Sequence, residues 1–293
     1  MPNYDLKEVR ALNYQRPDIV NGYADQTLYL NLSDQKIAIK PVAEKTKKTF
    51  TGGKGYNLWL LWNAVQPSTK WNDPENALCI AAGPLGGTPI YPGSGKSIVA
   101  TLSPTTASVM DSNVGGYFGP YLKFSGFDAL EVQGKSAKEV VVFIDGVNQQ
   151  IQIFETKGLP ENAYALSAVL TEHFAQGKPR NISVVSAGPG AKNTLIGCLN
   201  FTWYDPKRKR ARYKQAGRGG VGTVFADKGL KAIVACWNNV TAETNNPADK
   251  ARLKNVAKLH SREIVEQDPK QNEMSKIGTT HLVTIMNDHD LLP

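Results

Sequence analysis

The chain carries only 3 cysteines in 293 residues, and Cys79, Cys198 and Cys236 lie far apart, each in or beside an apolar run. No C-x-x-C occurs, so a local zinc or iron–sulfur site has no support, and the thiols read as buried groups in a reducing compartment. His173, His260, His281 and His289 share no ligand spacing and read as surface or helix-face residues. No run approaches the roughly 18 apolar residues that a membrane helix needs. The N-terminal MPNYDLKEVRALNYQRPD also lacks the apolar core of a signal peptide, so a cytoplasmic location is expected.

Acidic residues are outnumbered, 26 Asp and Glu against 34 Lys and Arg, for a formal net charge of +8. Such a surface attracts nucleic acid, an anionic protein or a phosphate-bearing cofactor without choosing among them. The one dense basic cluster, Lys207 to Arg210 with Arg212, Lys214 and Arg218 behind it, reads as a surface loop. Tyr204 and Tyr213 flank it, but two aromatics beside a basic run do not make a stacking platform, so nucleic acid is not the expected partner. Apolar residues at 41% and charged residues at 20% suit a folded chain of one to two domains.

QTLYLNLSDQKIAI alternates on either side of Ser33-Asp34 as a hairpin does. Gly52-Gly53-Lys54-Gly55 then heads a helix through Leu58, Leu61, Trp62 and Val65 that Pro67 stops. Short strands are expected at 78–82, 97–102, 130–132 and 140–144, with a helix over 163–174. Asn238 to Pro247 reads as a linker, and helices are expected over 248–267 and from Met274 to Met286, a pair too small to bury its apolar faces.

Two blocks occur twice. LCIAAGPLGGT (Leu78–Thr88) is echoed by SVVSAGPGAKNT (Ser183–Thr194), an apolar strand entering Ala-Gly-Pro in each case. GGYFGPYLKFSGFDALEVQGK (Gly115–Lys135) is answered by GGVGTVFADKGLKAIVACW (Gly219–Trp237), a glycine pair before a helix-like piece and an apolar strand. The same order and spacing indicate an internal duplication. A single glycine pair marks only a turn. Two matched ones beside lysines and arginines suggest twin loops whose bare backbone comes close to two similar anions, aided by the dipoles of the following helices. Asp128 is expected to brace the turn before its strand, and Glu131 to point outward to water or to the other repeat.

GGKGYNLWLL, ENALCIAAGPLGGT, VGGYFGPYLKFSGFDALEVQGK, AGRGGVGTVFADKGLKAIV and GTTHLVTIMNDHDLLP stand in the order found in the aldehyde ferredoxin oxidoreductase family, which this chain resembles from about Gly52 to its end. The resemblance implies an α+β fold of duplicated sheet-and-helix repeats over 1–238 that forms a base for a tungsten- or molybdenum-bis-pterin cofactor, followed over 248–293 by the start of a helical domain. The cofactor-binding residues it implies are Lys96, Asn113, Gly115, Gly116, Lys214, Gln215, Gly217 and Gly219, one loop for each pterin phosphate. Backbone carbonyls of Asn113 and Gln215 would hold a magnesium ion bridging the phosphates. No residue of this chain is assigned to catalysis.

Lysine replaces the family's arginine at Lys54, Lys96 and Lys214, which keeps charge but gives up the two-pronged donor. The resemblance also places a [4Fe–4S] cluster and the pocket's acid–base residues in further domains that this chain does not contain. The expected function is therefore the cofactor-base portion of an enzyme oxidising aldehydes to carboxylic acids. Electrons would pass to ferredoxin, with an iron–sulfur-bearing partner subunit or domain in an oligomer or hetero-complex. The alternative is a catalytically silent scaffold or assembly subunit of a larger redox complex.

Overall fold

The N-terminal DLKEVRALN forms strand β1 (Asp5–Asn13) in the computed structural model, which describes residues 4–271 and 273–292. The alternating stretch after it becomes the hairpin β2 (Gln26–Asn31) and β3 (Lys36–Pro41), with its turn centred on Ser33-Asp34. Helices α1 (Glu44–Phe50) and α2 (Lys54–Ala64) follow, then β4 (Leu78–Ala81), β5 (Ser97–Leu102), β6 (Val109–Val114), α3 (Phe118–Phe124) and β7 (Ala129–Gln133).

The chain then repeats itself. A second hairpin, β8 (Val140–Asp145) and β9 (Gln150–Lys157), leads to α4 (Ala163–Ala175), β10 (Ile182–Ser186) and a single turn, α5 (Gly190–Asn193). After it come β11 (Leu199–Asp205), β12 (Arg210–Ala216), α6 (Val221–Asp227) and β13 (Leu230–Cys236).

One sheet runs β3-β2-β7-β4-β5-β6, and the other runs β1-β9-β8-β13-β10-β11-β12. Without the added β1, the orders are the same strand for strand. In each sheet only the pairing of the hairpin's first strand with the repeat's last strand, β2 with β7 and β8 with β13, is parallel. The duplication read from the Ala-Gly-Pro turns and glycine pairs therefore extends to a whole hairpin–helix–meander unit, including elements whose sequences share no echo.

The repeats are interlocked through their short helices. α3 packs against β10, β11 and β13 of the other sheet, and α6 against β4 and β5. Phe118 and Phe124 of α3 are fully buried, and Phe118 meets Phe201 of β11 edge-on at 5.7 Å. One apolar core thus runs through both sheets, from Leu28 and Leu30 to Phe225 and Ile233. A second cluster, with Phe143, Leu166, Leu170 and Val234, lies under α4.

Asp128 braces the entry to β2, accepting hydrogen bonds from the backbone N–H of Ala24 at 3.0 Å and of Asp25 at 2.8 Å. Glu131 departs from expectation: it is 4% exposed, because the face of β7 that carries it lies under α2 and not toward water. The three cysteines are free thiols, with Cys79 buried and the other two half-buried.

The described chain divides into two units, one of residues up to 89 and 93–248, the other of residues 90–92 and 249 onward. In the second unit α7 (Lys250–Gln267) is capped by Asp249, whose Oδ1 accepts from the Arg252 N–H at 2.8 Å. The single helix expected from Met274 to Met286 is broken into α8 (Met274–Ile277), a 3-10 turn and α9 (Leu282–Asp288). Gly278, at φ +64°, ends the first piece in a conformation that a helix cannot continue. Ile264, Val265, Ile277 and Val283 of this unit remain exposed. No helix among the described residues is long and apolar enough to cross a membrane.

Lys123 at the end of α3 is fully buried, and its Nζ donates to the Gly83 carbonyl in the Ala-Gly-Pro turn. Burial pushes its pKa down to about 8, with Asp128 opposing the shift. A lowered folded-state value means that the unfolded chain binds the extra proton between pH 8 and the ordinary lysine value, so this group makes stability rise with pH over that window. Relative to Lys123→Met, the wild type should gain about 2 kcal/mol in denaturant-unfolding free energy from pH 8 to pH 10, and nothing from pH 6 to pH 7. A pH-independent difference would show that the amine is not held in its buried place.

Candidate functional site

β6 and β12 are the end strands of their sheets, so each has a backbone edge without a strand partner. These two edges come together, and polar and glycine contacts join them. The Arg218 N–H donates to Ser112 Oγ at 3.1 Å, and the Gly115 Cα lies beside the Lys214 stem, so that an added Cβ would stand 3.6 Å from Lys214 Cγ. Gly219 packs on Met110 at φ +65°, where any side chain would overlap Met110 Cγ. Behind them, Tyr117 N–H reaches the Thr202 carbonyl at 3.5 Å.

The residues singled out in the sequence collect at this junction from both sides. Asn113 is the penultimate residue of β6, paired with Ile98, and Gln215 is the penultimate residue of β12, paired with Asn200. They are equivalent positions in the two repeats, and both are exposed. The Gln215 side chain is held by a 3.1 Å hydrogen bond from Nε2 to Asn200 Oδ1. Gly115 and Gly116 continue β6 toward α3, while Gly217 and Gly219 continue β12 toward α6. No atom lies within 4 Å of where a Gly217 Cβ would be, so that stretch of backbone faces open space.

Lys96 immediately precedes Ser97, whose strand partner is Val114, which sets Lys96 across from Gly115. Among the described residues, neither Lys96 nor Lys214 makes an ion pair, and both are exposed. Lys54 behaves differently: its Nζ is 2.7 Å from Asp111 Oδ1, which ties the start of α2 to β6. The junction thus offers uncommitted ammonium groups and bare backbone, the donor set for oxyanions.

Two expectations need correction. The basic run is not a loop of its own. Lys207 to Lys209 turn the β11–β12 hairpin, and Arg210, Arg212 and Lys214 alternate along β12 toward the junction. Asp205, 3% exposed, organises the turn by accepting from the Lys207 and Arg208 N–H groups at 3.0 and 3.2 Å and from Arg208 Nη1 at 2.8 Å. Tyr213 packs edge-on against Tyr164 at 4.4 Å and is not open for stacking. The helices behind the glycine loops have only 7 residues each, so the backbone and the cations, not a long dipole, supply the positive field.

A cavity of about 520 Å³ on the α3 side is lined by Gly95 and Tyr117, and also by Arg180 and Trp237. The sequence did not reveal it as a site, because its walls combine the β4–β5 connection and α3 with the segments just before β10 and just after β13. Among the described residues no group of three or more His, Cys, Asp or Glu side chains could hold a metal ion. A cation at the junction would have to be bound by backbone carbonyls and by oxygens that a ligand brings.

The sequence profile of the aldehyde ferredoxin oxidoreductase N-terminal domain matches residues 27–236, which contain both repeats. The tungsten-containing aldehyde ferredoxin oxidoreductase of Pyrococcus horikoshii is 32% identical over 272 residues, 93% of this chain and 42% of that protein. The WOR-like subunit of an aliphatic sulfonate oxidoreductase from Pyrococcus furiosus is 30% identical over 227 residues, 73% of this chain and 34% of that protein. Among solved structures, the active site complex BamBC of benzoyl coenzyme A reductase superposes with a TM-score of 0.65 at 28% identity, covering 75% of this chain and 31% of that one. The chain spans about 42% of the length of the tungsten-containing relative from Pyrococcus horikoshii. With the profile covering both repeats, and relatives at this identity matched over nearly its whole length, the chain belongs to the aldehyde ferredoxin oxidoreductase family.

Proposed function

We propose that this chain is the cofactor base of a tungsten- or molybdenum-bis-pterin oxidoreductase and works in the cytoplasm with further protein that completes the enzyme. The observation that carries the reading is the meeting of the β6 and β12 edges. It puts two equivalent bare-backbone loops, each with an uncommitted lysine, at one place. Two similar anions joined through one centre are the ligand that such a twofold arrangement suits. Lys96 and Lys214 would neutralise the phosphates, the glycines would let the main chain approach them, and the carbonyls of Asn113 and Gln215 would hold a magnesium ion between them.

The bound metal centre would supply two-electron exchange between an aldehyde and a carboxylic acid. This chain's share is position and counter-charge. It contributes no cluster thiolates, since its three cysteines are separate in the fold, so electrons would leave through an iron–sulfur-bearing partner or domain toward ferredoxin. The relatives' names speak of aldehydes, aliphatic sulfonates and benzoyl coenzyme A, which fits a shared base whose substrate is chosen by other parts of the enzyme.

Metal and pterin analysis of the protein isolated with its native partners tests the reading: tungsten or molybdenum with pterin fluorescence after denaturation is expected. Protein free of both would favour the scaffold role instead. Two glycine variants separate binding from folding. Gly217→Val places its side chain in open space and should leave the melting temperature unchanged while cutting retained metal by about tenfold. Gly219→Val collides with Met110 at a positive φ and should lower the melting temperature by about 5 °C or more. Replacing Lys96 and Lys214 together by alanine should reduce retained metal by about tenfold, with the melting temperature within about 2 °C of wild type.

A further inference from the structure

The duplication supplies an internal control for every position in the base, and the two repeats differ most under their long helices. Aligning the parallel pairs through Asn31–Gln133 and Asp145–Cys236 makes Glu131 equivalent to Val234, Tyr29 to Phe143 and Lys40 to Phe154. Under α4 these positions are apolar and belong to one cluster, in which Phe143 stacks on Phe174 at 4.2 Å. Under α2 the same positions carry polar groups, and Glu131 and Lys40 border a cavity of about 480 Å³.

An ammonium group already sits there. Lys40 Nζ is 2.8 Å from Glu131 Oε2 and 3.6 Å from the centre of the Tyr29 ring, a carboxylate and a π face converging on one cation. The two partners are unequal: the Lys40 side chain is 46% exposed and that of Glu131 only 5%. The Lys40 ammonium can reach water whereas Glu131 cannot follow, and a buried carboxylate left alone is strongly disfavoured, so Lys40 gives up its place only to another cation. The cavity therefore selects for a cation. Its inner wall carries Tyr56, 2% exposed, whose hydroxyl finds no hydrogen-bond partner among the described residues. Its outer wall is Trp59, braced by stacking on Phe50 at 5.3 Å.

We propose that the cavity beneath α2 is a recognition site for a primary alkylammonium group, with Lys40 as the tethered occupant that an incoming ammonium displaces. The ammonium would take the place between Glu131 and Tyr29, and its alkyl chain would run along Trp59 and Leu60. The same chemistry is carried by a free alkylamine or polyamine and by the lysine side chain of a partner protein.

Titration calorimetry on the whole chain, with n-butylammonium as probe and n-butanol as its uncharged control, tests this. Lys40→Ala should bind butylammonium about tenfold more tightly than wild type does, and neither should bind butanol measurably. Glu131→Gln should lose the binding. Equal binding of amine and alcohol by Lys40→Ala, or no binding of either, overturns the proposal, and this comparison stands even if Glu131→Gln fails to fold. Spermidine and Nα-acetyl-lysine-methylamide then distinguish the sources. Tighter binding of spermidine assigns the site to free polyamines, and equal or tighter binding of the lysine derivative assigns it to a partner's side chain.

Discussion

A sheet that ends in an unpaired strand exposes a row of backbone donors and acceptors, and proteins must cover or blunt such edges. Here each repeat uses the other to do so. The edges are not zipped into a continuous ladder. They are pinned at a few points, by Ser112 against the Arg218 N–H and by Met110 against Gly219, which leaves the equivalent penultimate residues Asn113 and Gln215 exposed. The pins are stiff because the helices immediately after them in the chain are buried. α3 and α6 cross into the opposite sheets, so moving one edge relative to the other would tear Phe118 away from Phe201. The geometry of the junction is thus fixed by the core and not by the loops that display it.

Legibility in the sequence divides along the same line. Backbone requirements leave residue-level marks, so the Ala-Gly-Pro turns and glycine pairs revealed the duplication and located both sides of the junction. Side-chain faces leave marks only where they are apolar. β12 was hidden because Arg210, Arg212 and Lys214 occupy alternate positions, and a strand whose period-2 signal is carried by cations looks like a basic loop. β6 was hidden for a similar reason, since VMDSNV is an edge strand with polar residues toward the junction. The hairpins and long helices of the two repeats showed no kinship because the sheet face under them is apolar in one repeat and polar in the other. Glu131 was misplaced by the same inference: alternation tells which face a residue is on, but not whether a helix lies over that face.

Divergence after duplication has not been uniform, and its pattern is informative. The strand order, the parallel pairing at each hairpin and the glycine-bearing approach to each short helix have stayed the same in both halves. These are the features that make the junction symmetric, as a ligand with two like arms would require. The layers under α2 and α4 lie away from that symmetry, and there the halves were free to part. One has an apolar cluster around Phe143 and Phe174, and the other has a buried carboxylate, a tyrosine hydroxyl with no hydrogen-bond partner among the described residues, and a cavity of about 480 Å³. The other repeat shows that the fold accepts apolar residues at the positions of Glu131 and Lys40, and replacing a buried ion pair by well-packed apolar groups is often neutral or stabilising, so the fold itself does not require the polar pair.

The lysines at the junction bear on how the charge there is used. A guanidinium gains over an ammonium by offering two parallel donors to one oxyanion, and that gain requires the fork to be held in plane. Lys54 has one acceptor, Asp111 Oδ1 at 2.7 Å, and a single-point donor serves it fully, so the loss of a fork there removes nothing that the fold uses. Lys96, just ahead of β5, and Lys214, near the end of β12, are both exposed, so a fork at either place would have little to hold it rigid. An ammonium on a flexible stem instead follows the charge wherever the ligand places it. If the junction holds two phosphates, as proposed, the fixed part of the site is the bare main chain between Val114 and α3 and between Ala216 and α6, where both repeats carry glycine.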